Sequence, residues 1–321
     1  MKRMKHYLTA FALLFGLGAA SQAAQYPDRP VTIVVPFSPG GAGDTVARTV
    51  ATRLSQQTGA SFVVLNKTGA AGRIGYDYVA KSKPDGYTLV AIDSSYTMYD
   101  GLYQSLPWDT RKDLVGITIS AQAPFALITR PEAGINDLKT FIEKAKADPG
   151  MLNYGSAGVG SANHIATFFF ARAAGIDLTH IPYKGMGDAM AGLIGGSVDL
   201  MVTALPTALA QHKGGKVRVL ALSSDKRSPS LPEAPTTVES GVEYVGSNWF
   251  GLAAPAGTPQ AMIDYLNKEV AEALKSDEIR NTLAGMGLEP VGNSVEDFNQ
   301  TLQKDIDYWA RELPATDIRV E

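Results

Sequence analysis

Residues 31–48 read VTIVVPFSPGGAGDTVAR, and the order of residue types in that stretch decides the fold. Val31-Thr32-Ile33-Val34-Val35 is a β-branched run closed by Pro36, which predicts a buried strand. Ser38-Pro39-Gly40-Gly41-Ala42-Gly43 is a turn of small, conformationally free residues. From Asp44 to Leu54 the apolar positions Val46, Val50 and Leu54 recur at helical spacing, with Asp44 or Thr45 placed as the N-cap. Such a strand–turn–helix unit aims backbone N–H groups and the positive end of a helix at one point.

Working outward, the same alternation continues. Ser61–Leu65 predicts a second strand, Gly69–Gly75 a glycine-rich loop, and the residues up to Lys81 a short helix. Pro84-Asp85-Gly86 is a turn, and Tyr87–Ile92 a further buried strand. Strands and helices in alternation argue for a parallel sheet in an α/β fold. A second unit begins near Pro124 with a strand over Phe125–Thr129, then a helix over Ile135–Ala147 entered through Asn136-Asp137. Leu152–Tyr154 is a strand, Gly155–Ser161 a loop of glycine and small residues, and Ala162–Ala174 a helix with Ile165, Phe168, Phe169 and Ala173 as its buried stripe. Strands over Leu178–Pro182, Asp199–Thr203 and Val217–Ser223 enclose helices over Asp188–Ile194 and Pro206–His212. After a surface loop at Ser228–Pro235, Trp249–Ala254 is apolar, and helices follow to Leu274, over Asp277–Met286 and over Ser294–Glu312, the last carrying Glu296, Phe298, Leu302 and Trp309. The tail lacks strands for a sheet of its own, so it docks on the first unit. The chain then crosses between lobes twice, near Ser120–Phe125 and near Ser247–Gly251, where Trp249 and Phe250 read as hinge packing.

At 321 residues, the chain has room for about two domains. Glycine, at 32 residues, exceeds the typical ~7%. Lys2, Arg3 and Lys5 precede an apolar run from Tyr7 to Ala20 and small residues at Ser21 and Ala23. That is the layout of a cleavable secretory signal over residues 1–23, with a core too short for a ~20-residue membrane span. Its removal takes away three cations and no acid, so the exported chain is more acidic than the formal charge of −3. The balance argues against nucleic acid, which needs a concentrated basic face. The absence of cysteine excludes disulfides, thiol catalysis and thiolate metal sites.

The repeat of local design, VTIVVPFSPGGAGDTVAR in one lobe and LNYGSAGVGSANHIA in the other, is the strongest chemical feature. Two such loops on one cleft, beyond the carboxyl ends of strands, suit an anion or the two ends of a dianion. Nucleotide motifs fail: G-x-G-x-x-G would need glycine at Val46 or at Asn163, and no P-loop exists. Tyr154-Gly155-Ser156-Ala157-Gly158 approaches the G-x-S-x-G elbow, but Tyr154 stands at its first glycine. A Ser156 nucleophile with His164 as base therefore stands as an alternative, with no third group evident. His164, His180 and His212 lack close metal-ligand spacing, and no metal or cofactor is expected. His164 either faces the cleft or packs at the helix terminus. Ser94, Ser95 and Thr203, at strand carboxyl ends, suit ligand hydrogen bonds or helix caps. Arg73 is the nearest candidate for a distal charge, although a solvated loop arginine is the plainer reading.

These residues resemble the Bug-type periplasmic receptors of tripartite tricarboxylate transporters. The likeness runs through YPDRPVTIVVPFSPGGAGDTVAR, NKTGAAGRIG, KPDGYTLV, LNYGSAGVGSANHIA, HIPYKG, GGSVDLM, VRVLALSSDKRSPSLPEAPTTVESG and WFGLAAPAGTP. The resemblance implies a type II periplasmic-binding-protein fold, two lobes with a double-crossover hinge closing over a small carboxylate. Lobe 1 would be residues 24–122 plus 250–321 and lobe 2 residues 123–249. It implies that Phe37, Ser38, Gly40, Gly41, Ala42 and Gly43 of one loop, and Ser156, Ala157, Gly158 and Ser161 of the other, hold one carboxylate through amides, hydroxyls and bridging waters. Ser94, Ser95, Asn163, His164 and Thr203 complete the expected site. Leu65 stands where an acid commonly precedes the Asn-Lys pair, Arg73 is atypical, and Asn163 replaces a common histidine; these departures touch distal specificity. The expected protein is a monomeric periplasmic receptor without catalytic activity, handing a di- or tricarboxylate or an aromatic dicarboxylate to large and small membrane subunits. An exported serine esterase using Ser156 and His164, and the receptor of an ABC importer, are the rival readings.

Overall fold

The computed structural model describes residues 26–316, 318 and 320. The stretch read as a secretory signal lies outside them. Strand β1 (Val31–Val35) buries four of its five side chains and pairs in parallel with β2 (Phe62–Asn66) and β3 (Thr88–Asp93). Helices α1 (Ala42–Thr58) and α2 (Arg73–Ala80) are the crossovers. Helix α1 starts earlier than its periodicity suggests: Gly41 is the N-cap, and neither Asp44 nor Thr45 is. Asp44 sits in the first turn instead, where its carboxylate reaches back to the loop. A short helix α3 (Tyr99–Leu102) follows β3.

Strand β4 (Leu114–Thr129) is 16 residues long, far beyond the expected Phe125–Thr129. Its first part carries Gly116, Thr118, Ser120 and Gln122 and so lacks a continuous apolar run, yet most of it is buried. Its partner explains the extension: residues 114–124 pair antiparallel with β9 (Ser247–Pro255), while residues 125–128 pair with β7 (Leu200–Ala204). One strand thus belongs to two sheets. The first is ordered β2-β1-β3-β9-β4, with the short β10 (Glu289–Pro290) beside β4. The second joins β4 to β7, then to β5 (Asn153–Ser156) and β6 (Thr179–Pro182), with β8 (Arg218–Leu222) also on β4. The sheets are therefore mixed, where alternation alone suggested parallel strands. A chain that leaves a lobe and returns beside its outgoing strand must run back antiparallel to it.

The second lobe adds α4 (Leu138–Ala147), α5 (Ala162–Ala174), α6 (Met186–Ile194) and α7 (Leu205–Lys213). Asp137 caps α4 by accepting the Thr140 N–H at 2.7 Å. The buried stripe of α5 differs from the expected one: Ala173 is exposed and Phe168 half-buried, while Ala166, Phe170 and Ala174 are buried. The helix buries two faces. Ala166, Phe170 and Ala174 join the lobe's own core with Phe141 and Leu200. Ile165 and Phe169 pack with Met98, Leu102 and Leu313 of the first lobe. Each of the Ile, Leu, Met and Phe side chains contributes roughly 1.5–3 kcal/mol when fully buried.

Three helices, α8 (Gln260–Lys275), α9 (Asp277–Gly285) and α10 (Val295–Glu312), return to the first sheet. Asn267 of α8 donates to the Ile117 carbonyl at 2.9 Å, and Asn299 of α10 to that of Gly116 at 2.9 Å. Phe298 and Ile306 on α10 are fully buried. The lobes touch on both flanks of the cleft. On one flank Phe169 of α5 meets Trp309 of α10 edge-on at 5.3 Å. On the other, Leu205 of α7 lies against Gly287, where a Cβ would stand 2.9 Å from it.

Candidate ligand-binding site

Both glycine-rich loops sit where a strand's carboxyl end turns into a helix, and buried side chains hold each in shape. In the first loop Pro36 ends β1 and Gly40 adopts φ +84°, a left-handed conformation that glycine tolerates best. The Gly40 N–H donates to Asp44 Oδ2 at 2.9 Å, and Arg48 Nε donates to the same oxygen at 3.0 Å. Asn66 Nδ2, at the end of β2, donates to Asp44 Oδ1 at 2.8 Å and to the Phe37 carbonyl at 3.0 Å. Arg48 closes the network with a 2.7 Å bond to Asn66 Oδ1. Burial alone would raise the Asp44 pKa, but the bonds from Arg48, Gly40 and Asn66 hold it below the usual carboxylate range. This carboxylate is thus committed to the protein, and its negative charge is met by Arg48.

The second loop is built by another chemistry to the same end. Ser156 is fully buried; its Oγ accepts the Gly158 N–H at 3.1 Å and shares a 2.6 Å hydrogen bond with His180 Nε2. Ser161 caps α5 by accepting the His164 N–H at 3.3 Å, and its hydroxyl donates to the Gly158 carbonyl at 2.8 Å. His164 Nδ1 accepts the Gly160 N–H at 3.1 Å, which places that ring's proton on Nε2. The His164 and His180 rings stack at 3.8 Å between centroids, with Tyr154 stacked on His180 at 4.8 Å. Burial, and for His164 the neighbouring His180, lowers the pKa of His164 to about 3; burial lowers that of His180 to about 4. Both rings are neutral at ordinary pH.

The remaining expected residues divide by what they touch. Ser94 Oγ donates to Asn248 Oδ1 at 2.6 Å and so ties the end of β3 to the returning strand β9. Ser95 donates its N–H and its hydroxyl to Asp93 Oδ1, at 3.1 and 2.5 Å. Asp93 lies beside Phe37, Gly43 and Phe250, and burial pushes its pKa up to about 6. Asn163 Nδ2 donates to the Val202 carbonyl at 2.8 Å, and Thr203 is buried at the end of β7. Arg73 donates to the Ala70 carbonyl and lies over the Tyr103 ring at 4.2 Å. Sequence reasoning missed the framing residues Asn66, Arg48, Asp93 and His180. Asp44, three residues beyond Gly41, has the spacing of a capping box and was the one legible signal. His180 is legible only through register, because β5 and β6 pair Tyr154 with it.

Among the described residues, no protein acceptor takes the N–H groups of Gly41, Ala42 and Gly43 in the first loop, or of Ala157 and Val159 in the second. Free amides at the N-terminus of a 17-residue helix, and in the loop that leads into a 13-residue one, are a receptor for negative charge. The same geometry works against nucleophilic chemistry at Ser156. His164 is turned to Gly160 and does not meet the Ser156 hydroxyl, which is enclosed and faces His180. Stacked rings flank His180, and no carboxylate hydrogen-bonds to it among the described residues. Among the described residues no group of three His, Cys, Asp or Glu side chains could hold a metal ion.

Residues 46–316 match the family model described as "Tripartite tricarboxylate transporter family receptor". The chain is 36% identical over 313 residues to protein BugT of Bordetella pertussis, covering 97% of this chain and 96% of BugT. A Rhodopseudomonas palustris protein solved with adipate superposes with a TM-score of 0.85 at 34% identity, covering 90% of this chain and 98% of that one. MatC from Rhodopseudomonas palustris, solved with bound malate, superposes with a TM-score of 0.81 at 30% identity, covering 90% and 100%. Two lobes joined by paired crossing strands, two amide-presenting loops and matches over almost the whole length agree. The chain belongs to the tripartite tricarboxylate transporter family of receptors.

Proposed function

We propose that this receptor binds a small carboxylate, a di- or tricarboxylate or an aromatic dicarboxylate, between the loops at residues 37–43 and 156–161. The observation that carries this reading is the set of unclaimed amides in two loops that lead into helices, in a chain similar to proteins solved with adipate and with malate. The ligand contacts are assigned to Phe37, Ser38, Gly40, Gly41, Ala42 and Gly43 from one lobe and to Ala157, Gly158 and the α5 start from the other. Ser156, Ser161, Asn163 and His164 act by holding the second loop, and Ser94, Ser95 and Thr203 by shaping the cleft between. Lobe 1 comprises residues 24–122 plus 250–321, and lobe 2 residues 123–249. Export through a cleaved signal at 1–23 delivers the receptor to the periplasm, where it works as a monomer. No reaction is catalysed. Amides of both lobes meet one anion only when the lobes close, so the ligand favours the closed state, which large and small membrane subunits then recognise. Among the described residues no helix is long and apolar enough to cross a membrane.

A thermal-shift panel tests the ligand class. Malate, adipate, citrate and terephthalate are compared with a neutral sugar and with choline at matched ionic strength. At least one acid is expected to raise the melting temperature by several degrees, about 2–4 °C per kcal/mol of binding for a protein of this size. A sugar that stabilises the protein while every acid fails would overturn the anion site.

A further inference from the structure

Beside the hinge, between α5 and α10, lies a groove of about 590 Å³ that meets the cleft at Ser94 and at Ala162, the first residue of α5, and includes no residue of either glycine-rich loop. Aromatic rings line it: Phe169 from α5, Trp249 from β9, and Tyr308 and Trp309 from α10. The charges in its wall are unbalanced. Asp305 is half-buried, and its hydrogen bond is the one from Trp249 Nε1 at 3.3 Å. Glu243 has no ion pair among the described residues. Arg172 is already satisfied, with its guanidinium over the Phe169 ring at 4.3 Å and Nη2 3.8 Å from Glu312. Burial raises the Asp305 pKa, and the Trp249 hydrogen bond and the neighbouring Lys304 offset that rise only in part.

We propose that this groove is a second binding site, for a small organic cation: a primary or quaternary ammonium on an apolar body. A partly buried carboxylate gains from an opposite charge brought beside it. Aromatic faces attract cations, and Arg172 over Phe169 already makes that contact in this wall. One ligand chemistry satisfies both features, and it is opposite in sign to the anion expected between the loops. The groove borders the cleft at Ser94 and Ala162, and the two sites differ in the sign of the charge they select. Because Phe169 and Trp309 come from different lobes, the occupant also bridges them.

The test is a calorimetric titration of benzyltrimethylammonium chloride into the purified protein, with sodium chloride and sodium benzoate as controls. Saturable binding of the cation and none of benzoate at this site is expected. Asp305→Asn keeps an acceptor for Trp249 and removes the charge, so it should fold normally and weaken the cation at least about tenfold. Trp309→Leu should weaken it comparably, and if that variant fails to fold, the Asp305→Asn result decides. Absence of saturable binding, equal affinity in Asp305→Asn, or competition by benzoate would each overturn the proposal.

Discussion

Asp44 and His164 do one job with opposite chemistries. Each takes the N–H of a loop glycine, Gly40 or Gly160, and so turns a flexible segment into a fixed frame for neighbouring amides. A carboxylate can serve beside an anion site because Arg48 and Asn66 occupy it. The imidazole serves because it is neutral, and this has a measurable consequence. A histidine whose folded pKa lies far below its ordinary 6.5 binds protons better unfolded, so its stabilisation is complete above about pH 6.5 and is lost as pH falls toward 3 or 4. Asp93, raised to about 6, works in the opposite sense, losing stability as pH rises from 3.8 to 6. Asp305, also raised by burial, acts in the same sense as Asp93, and the larger shifts of the two histidines outweigh both carboxyls. Urea denaturation should therefore show stability lower by about 1–2 kcal/mol at pH 5 than at pH 7. Replacing His164 with Gln should flatten that slope; an unchanged slope would contradict neutral stacked rings.

At the scale of elements, β4 and β9 carry both crossings, and their closeness is written in glycine. A Cβ on Gly251 would stand 2.6 Å from the Thr118 carbonyl oxygen and 3.0 Å from the Phe298 ring. Gly251→Ala should push the paired strands apart and cost about 1–3 kcal/mol, read as a lower urea midpoint at unchanged slope. Full stability in that variant would mean the strands have slack that the packing denies. Elements of this kind were the least legible. Strands β1, β3 and β7 show as β-branched or apolar runs, and α8 and α10 as helical spacing, because each buries one continuous surface. Residues 114–124 carry Gly116, Ser120 and Gln122, and their burial comes from β9, more than a hundred residues away. No local pattern encodes such a partner. For the same reason Ala173 was expected inside and lies outside: α5 serves two cores, one of them in the other lobe.

Across the whole molecule, an acidic chain that receives acids cannot rely on net attraction. Its excess glycine gains a use, since loops without side chains let amides approach an anion closely. The loops themselves were legible in the sequence as glycine-rich strand–helix turns, whereas their frames were not, because Asn66 and His180 reach them through strand pairing. Gly41 is the position at which to test the central claim. Its φ is −73°, and a Cβ there would come no nearer than 3.7 Å to any neighbour, so the backbone tolerates a side chain. Gly158, with φ +124°, would add strain to any substitution. The deciding measurement is a calorimetric titration of the best-stabilising acid into the unaltered receptor and into Gly41→Asp. The account predicts saturable one-to-one binding in the first and at least about a hundredfold loss in the second, at an unchanged melting temperature, because a carboxylate then stands where the anion binds. Equal affinity in the two proteins would contradict an anion held at these amides.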